Sequence, residues 1–212
     1  MISKKQSVIH AVSAVVPLLA LLLLPCRSVA LGQPSPGEVI RTFNDALLEA
    51  MKKADELGYS GRYRLLEPVV KKTYALSFMA AQATGRYWKT LTKEEQAKII
   101  TAYADWTTST YAGRFDGYAG EKFEIASENG PRQGTVTVVS RLVTSHGEEV
   151  SFHYLLGKVD GSWRVMDIRI SGVSQLALTR AQFTAVIRTK GVQGLIGMLD
   201  KKIQGFEKGA KE

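Results

Sequence analysis

The apolar residues in the first half of the chain recur at the spacing of amphipathic helices. The first helix is predicted to begin at Ser35-Pro36, because serine caps a helix and proline fits its first turn. Glu38 completes the capping pattern, and Gly58 marks the expected end of the helix. A second helix is predicted from Ser60 onward.

Three features define the remaining helices of this half. Pro68 predicts a break or kink in the second helix, because proline lacks the amide hydrogen that a helix interior uses. Residues 75–84 form a short apolar helix that Gly85 ends. The run Leu91-Thr92-Lys93-Glu94-Glu95 is typical of a capping box, and it opens a long helix that extends to Ala112.

From Glu121 the apolar period changes from helical to alternating, which indicates strands. Turns are predicted at Asn129-Gly130-Pro131, at His146-Gly147-Glu148 and at Asp160-Gly161. Strands joined by such short turns pair antiparallel. The pattern therefore predicts an α+β protein in which helices pack on one face of a curved four-stranded antiparallel sheet.

The fourth strand leads directly into a helix. Residues 163–170 carry apolar side chains at both parities, as expected for a strand that is covered on both faces for part of its length. Gly172 allows a sharp turn and Ser174 can cap the helix that follows, which includes Phe183. A last helix is predicted over residues 192–206.

Residues 1–30 have the pattern of a cleaved signal peptide. A basic start with Lys4-Lys5 precedes the apolar segment 11–24, and Ser28-Val29-Ala30 supplies the small residues that a signal peptidase requires. Export of the chain follows from this pattern, and residues 31–212 are expected to form a single domain.

Two alternatives to cleavage at Ala30 stay open. The apolar segment can serve as an uncleaved anchor, although it is short for a membrane span. Cys26, which is the only cysteine of the chain, can be a lipid attachment site, although a proline precedes it. If cleavage occurs, no cysteine remains for disulfides or thiol chemistry.

The charge of the chain is moderately basic. The sequence of 212 residues has a formal net charge of +8, and loss of residues 1–30 removes three of its 28 basic residues and none of its 20 acidic ones, which leaves +5. The lysines are scattered on polar helix faces and form no basic run interleaved with aromatic residues. We therefore expect no nucleic-acid partner.

Candidate catalytic and metal-binding residues are few. Ser174 lies at a strand-to-helix turn, but Leu176 takes the place of the second glycine of a nucleophile elbow. No histidine follows Ser174, and His146 and His153 have no second ligand at a spacing typical of metal sites. The sequence therefore predicts no catalytic residue, no metal site and no cofactor.

Four motifs, in fixed order and spacing, are found in the last third of the chain: Trp163-x-x-x-Asp167, Gly172-Val173-Ser174, Arg180-x-Gln182-Phe183 and Gly191-Val192-x-Gly194-Leu195-Ile196. Together they resemble the signature of the MlaC family of periplasmic lipid carriers, also called toluene-tolerance proteins. The helices that precede the sheet resemble that family too, so the likeness covers most of residues 36–205.

The resemblance implies a monomeric periplasmic carrier rather than an enzyme. It would exchange phospholipid between an inner-membrane ABC transporter complex (MlaFEDB-like) and an outer-membrane lipoprotein-porin complex (MlaA-like), and so maintain the lipid asymmetry of the outer membrane. A branch of the same family is linked to hopanoids, so a hopanoid carrier of the same fold is an alternative. A small periplasmic α+β enzyme is a second one.

The resemblance also implies an apolar pocket between the sheet and the helices. An ordinary packed core is the alternative, because aromatic residues at such positions usually pack against each other. The residues expected to line the pocket are Phe43, Leu47, Val70, Tyr74, Phe78, Ile99, Tyr103, Trp106, Val138, Phe152, Tyr154, Met166, Ile168, Ile170, Val173, Phe183 and Ile187.

Overall fold

The computed structural model describes residues 33–209, so the signal peptide predicted over residues 1–30 and Cys26 lie outside the described residues. The helices are α1 (Pro36–Lys52), α2 (Ala54–Thr73), α3 (Leu76–Thr84), α4 (Lys93–Arg114) and α5 (Gln175–Glu207), with a 3₁₀ helix over Gly85–Thr90. The strands are β1 (Lys122–Arg132), β2 (Thr135–Val143), β3 (Glu149–Val159), β4 (Ser162–Ile170) and β5 (Val173–Ser174). None of these helices combines the length and apolar character needed to cross a membrane.

The strands form one antiparallel sheet in the order β1-β2-β3-β4-β5, which confirms the predicted α+β class. The sheet has one strand more than the sequence predicts. Ser171 and Gly172 both have positive φ, at 51° and 79°, and they reverse the chain. As a result Val173 pairs with Ile170, and Ser174 pairs with Arg169.

The turn predicted at Asn129-Gly130-Pro131 is wrong. Strand β1 continues through these residues, and the hairpin turn lies at Gln133-Gly134, where φ is 52° and 78°. A register shift between Asn129 and Arg132 accommodates the extra length. The turn at Asp160-Gly161 is confirmed, with φ of 49° and 77°, as a two-residue hairpin of this handedness requires.

Both predicted helix caps are confirmed. Ser35 with Glu38 and Thr92 with Glu95 each form a capping box. Pro68 does not break α2, which continues through it and leaves helical geometry at Gly58 instead, with φ 57° and ψ −175°. Pro68 lies on the exposed side of the helix. Water can therefore hydrate the backbone carbonyl that would otherwise accept a hydrogen bond from the amide at position 68.

Helix α5 contains the two helices that the sequence separates. Gly191, with φ 67° and ψ −171°, interrupts helical geometry between them. The second part packs closely on α4, where the ring of Phe206 lies directly over Gly113 and leaves no room for a β-carbon there. Gly197 of the same part differs, since none of the described residues has an atom within 4 Å of a β-carbon built there.

The core lies between one face of the sheet and the helices. Phe43 of α1 is fully buried and its ring meets Tyr154 of β3 at a centroid distance of 6.4 Å. Close by, Asn44 Nδ2 donates to Ser140 Oγ at 2.9 Å, which joins α1 to β2. The helices are therefore anchored to the middle of the sheet, and the spaces that remain lie around this contact.

Candidate functional site

A cavity of about 280 Å³ lies between the sheet, α4 and the first turns of α5. Most of its lining is apolar or aromatic, and the polar side chains come from one side of α4 and from the start of α5. The lining residues are Tyr74, Met79, Tyr103, Trp106, Thr107, Thr110, Tyr111, Arg114, Phe115, Phe152, Ile168, Ile170, Gln175, Leu176 and Thr179. We call this space the central cavity.

The structure divides the residues that the sequence assigns to the pocket. Those that line the central cavity are Tyr74, Tyr103, Trp106, Phe152, Ile168 and Ile170. Buried core positions away from its lining are occupied by Phe43, Leu47, Val70, Ile99, Val138, Tyr154, Phe183 and Ile187. Val173 is 47% exposed, and Phe78 lines a neighbouring cavity.

Met166 does not line the central cavity, although the sequence assigns it to the pocket, because β4 contains a bulge. Simple alternation places Met166, Ile168 and Ile170 on one face of the strand. The register passes from Leu155↔Asp167 to Leu156↔Val165, so Met166 is left without a partner across the strand pair. Its sulfur lies against Gly157, and Met166 is not part of the cavity lining.

Several lining residues follow a helical stripe that apolar patterning does not detect. Thr107, Thr110 and Arg114 follow Tyr103 on one side of α4, at offsets that bring them onto the same face. Because they are polar, a search for apolar positions passes over them. The signal for them was the helical spacing from Tyr103 rather than their hydrophobicity.

The aromatic wall of the central cavity is closely packed. Tyr103 meets Trp106 edge to face, with ring centroids 5.7 Å apart. Phe183 lies behind both rings, at 6.0 Å from Tyr103 and 5.9 Å from Trp106, and is fully buried. Such edge-to-face contacts hold aromatic rings in defined orientations, so this wall presents a fixed surface to the cavity.

The tyrosine hydroxyls of the cavity are uncharged at neutral pH. Burial raises the pKa of Tyr111 to about 12, although its hydrogen bond with Tyr74 and the charge of Arg114 act in the opposite direction. Tyr111 as a whole is half-buried. Burial also raises the pKa of Tyr74 and of Tyr103 well above the usual range. The wall is therefore electrically neutral.

Two further cavities adjoin this region. One of about 390 Å³ shares Tyr74 with the central cavity and is lined also by Phe78, Ile100 and Ala104. Another of about 310 Å³ lies beside Trp163 and shares Arg164 with the 390 Å³ cavity. Tyr74, whose hydroxyl is hydrogen-bonded to that of Tyr111, thus stands between the two cavities it lines.

The other candidate residues of the sequence are either part of a helix cap or exposed to solvent. Ser174 Oγ accepts a hydrogen bond from the amide of Ala177 at 3.0 Å, which confirms its role as a helix cap. His146 lies in an exposed turn beside Ser145, and His153 is exposed on β3. Within residues 33–209, no group of three or more histidine, cysteine or acidic side chains is arranged to hold a metal ion.

The fold thus combines an antiparallel sheet, helices packed on it and a cavity with a largely apolar lining between them. The model of the family described as MlaC protein matches residues 41–201. This chain therefore belongs to the MlaC family, as its sequence motifs predict.

One curated protein and one solved structure are similar to this chain. The chain is 22% identical over 125 residues to the intermembrane phospholipid transport system binding protein MlaC of Haemophilus influenzae, a match that covers 57% of this chain and 58% of that relative. The aligned part thus spans less than two thirds of the relative's length. The fold is also that of a phospholipid-binding protein from Ralstonia solanacearum, solved in complex with a phospholipid, with a TM-score of 0.71 and 24% identity over 82% of this chain and 99% of that one.

Proposed function

We propose that this protein is a soluble periplasmic carrier that encloses the acyl chains of a phospholipid. It would pass the lipid between an inner-membrane ABC transporter complex and an outer-membrane lipoprotein-porin complex, and so maintain the lipid asymmetry of the outer membrane. Family membership supports this function, and so do the phospholipid-binding roles named for the two relatives. The signal peptide predicted over residues 1–30 is the means of export to the periplasm.

The observation that carries the proposal is the composition of the central cavity. Its inner wall is formed by neutral aromatic and aliphatic side chains, of which Tyr103 and Ile168 are buried and Phe152 is partly buried. Each methylene group that moves out of water gains about 0.8 kcal/mol. A carrier of this kind therefore has only to match the apolar surroundings that the bilayer already provides.

The volume of the cavity bears on how the acyl chains are held. Pockets for small organic ligands typically measure about 300–1,000 Å³. The central cavity, at about 280 Å³, lies at the low end of that range, and the adjoining cavity across Tyr74 adds about 390 Å³. We infer that a lipid with two chains uses both spaces, with Tyr74 displaced from its hydrogen bond with Tyr111.

A hopanoid is the second candidate cargo. The observation that favours it is the number of aromatic rings around the central cavity, which suit the flat faces of a rigid polycyclic molecule. A phospholipid fits the observations better, because the cavity combines this apolar wall with a cationic side chain at its edge, which a neutral triterpenoid does not require.

The test is lipid analysis of the protein purified from its own periplasm. We expect mass spectrometry of an organic extract to find phospholipid, and Ile170→Trp, which fills the central cavity, to reduce the lipid recovered per mole of protein. Val150→Trp is the matched control, because Val150 is 39% exposed and lies outside the lining. Recovery of triterpenoid would favour the hopanoid carrier. An extract without lipid, or equal lipid in Ile170→Trp and wild type, would contradict the proposal.

A further inference from the structure

We propose that Arg114 is the residue that recognises the polar head of the cargo, by binding an anionic oxygen at the mouth of the central cavity. This inference rests on the proposed function, since it requires that the cavity hold a lipid. The chemistry is that of a guanidinium group with a phosphate or a carboxylate, so the anion is either the phosphodiester of a phospholipid or the carboxylate of a fatty acid.

The position of Arg114 follows from the helix that carries it. Tyr103 is 3% exposed, Thr107 and Thr110 are half-buried, and Arg114 at the last position of α4 is exposed. At 1.5 Å per residue, the distance from Tyr103 to Arg114 along the helix axis is about 16 Å. One side of α4 thus leads from the apolar interior of the cavity to a cation at the surface, in the order that an amphipathic lipid requires.

Charge distinguishes Arg114 from the rest of the lining. Of the described residues that line the central cavity, it is the one that carries a charge. Among residues 33–209, no carboxylate forms an ion pair with it. Its five N–H groups are arranged in a planar fork that can donate two parallel hydrogen bonds to one phosphate or carboxylate.

The threonine hydroxyls beside Arg114 donate their hydrogen atoms to backbone carbonyls of their own helices. Thr107 Oγ1 donates to the carbonyl of Tyr103 at 2.7 Å, and Thr110 Oγ1 donates to that of Trp106 at 2.8 Å. On α5, the hydroxyl of Thr179 donates in the same way to the carbonyl of Gln175 at 2.8 Å.

The side-chain amide of Gln175 uses one of its two hydrogens, since its Nε2 donates to the carbonyl of Val173 at 3.2 Å, and this amide carries no charge. The threonine oxygens therefore offer lone pairs to the cavity, and an anion is bound by donors. Arg114 is the group at the mouth that supplies several donors and the opposite charge together.

A structural role for Arg114 makes a different prediction. A cation in the last turn of a helix interacts favourably with the helix dipole, which affects stability and not the choice of lipid. Replacement of Arg114 would then lower the midpoint of thermal unfolding and leave lipid selectivity unchanged. Selectivity is therefore the measurement that separates the two roles.

The experiment is a competition between lipids that share their acyl chains. The full mature protein is incubated with vesicles that contain equal amounts of phosphatidylglycerol and diacylglycerol, and the lipids that it acquires are measured by mass spectrometry. We expect wild type to favour the phospholipid, and Arg114→Ala and Arg114→Gln to lower the ratio of phospholipid to diacylglycerol about three- to tenfold, as for the loss of a charged hydrogen bond near the surface. Arg114→Lys should fall between them.

The controls distinguish the possible outcomes. Arg188→Ala removes an exposed cation of α5 that lies outside the cavity lining, and it should leave the ratio unchanged. A parallel competition with a fatty acid in place of phosphatidylglycerol identifies whether phosphate or carboxylate is the preferred anion, and either result supports the assignment if it depends on Arg114. An unchanged ratio in both folded Arg114 variants would overturn it. If wild type acquires neither lipid, the proposed function itself is wrong.

Discussion

The carboxylate of Asp167 accepts a hydrogen bond from the backbone amide of Leu176 at 3.1 Å. Asp167 belongs to β4, and the same oxygen also accepts from the amide of Ile168 at 2.8 Å. Leu176 lies in the first turn of α5, where amides have no partner within the helix and where a negative charge is favourable. This partly buried contact thus joins the strand to the helix at the point where Leu176 and Ile168 line the central cavity.

Loss of this acceptor should destabilise the corner between β4 and α5. We expect Asp167→Ala to lower the free energy of unfolding by about 1–3 kcal/mol, because the buried amide of Ile168 and the partly buried amide of Leu176 lose this acceptor. Asp167→Asn, which keeps a carbonyl oxygen, should cost less. Urea denaturation followed by circular dichroism measures both changes, and equal stability of Asp167→Ala and wild type would show that the contact contributes nothing.

Ser174→Ala provides a comparison at the same corner. The variant loses the hydroxyl that accepts a hydrogen bond from the amide of Ala177. This loss should lower the free energy of unfolding by about 1 kcal/mol, as is typical for an N-cap. Because Ser174 has no catalytic role in the proposed function, the purified variant should retain its full lipid content. Complete loss of function in a folded Ser174→Ala protein would instead favour a hydrolase.

Contact between α4 and α5 depends on the absence of a side chain at Gly113. A β-carbon there would collide with the ring of Phe206, which is 3% exposed and cannot move into solvent without losing its packing. We expect Gly113→Ala to lower stability by about 1–3 kcal/mol, as for other overpacked sites. Thermal unfolding by circular dichroism is the appropriate measurement.

Gly197→Ala is the matched control for Gly113→Ala. Gly197 also lies within a helix, but nothing is within 4 Å of a β-carbon at that position. Alanine should therefore stabilise the helix by about 0.5–1 kcal/mol through its better helix propensity. The two glycines should thus give effects of opposite sign, and the same sign for both would contradict the close contact at Gly113.

The buried tyrosines predict a loss of stability in alkaline solution. Burial raises the pKa of Tyr111 to about 12 in the folded state, against about 10 for an exposed tyrosine. The unfolded chain therefore loses this proton more easily than the folded protein does. The contribution of Tyr111 to the free energy of unfolding is complete below pH 10 and declines as pH rises from about 10 to about 12. Urea denaturation at a series of alkaline pH values should show this decline, and Tyr111→Phe should reduce its slope.

Tyrosinate absorbance checks the same linkage independently. We expect part of the tyrosine absorbance change to appear only at or above a pH of about 12, or together with unfolding, because ionisation of a buried phenol is unfavourable. If all tyrosines ionise near their ordinary pKa while the circular dichroism stays native, the tyrosines around the central cavity are accessible to water.

The export proposal predicts a defined amino terminus. The mature protein should begin at Leu31 and be released with the periplasmic fraction, because the small residues before Leu31 match the needs of signal peptidase. Amino-terminal sequencing of the fractionated protein measures this directly. Membrane-bound protein that keeps residues 1–30 would support an anchor, and lipid attached at Cys26, abolished by Cys26→Ser, would support a lipoprotein.

Local signals in the sequence were sufficient for most of the element boundaries. The capping boxes at Ser35 and Thr92 and the turn at Asp160-Gly161 are confirmed because each depends on residues within about four positions of one another. The family was predicted on similar grounds, from short motifs at fixed spacing. Three of the four motifs lie in one continuous stretch, where β4 leads through Gly172 into α5.

Long-range packing decided the composition of the central cavity. The bulge at Met166 depends on pairing with β3 and removes that side chain from the lining, while Tyr154 and Phe183 are buried by elements far away in the chain. Apolar patterning identifies which residues leave water, but not which of them border a gap. A cavity is the space that neighbouring elements fail to fill, so its walls, including polar Thr110 and Arg114, are determined only when the helices have packed on the sheet.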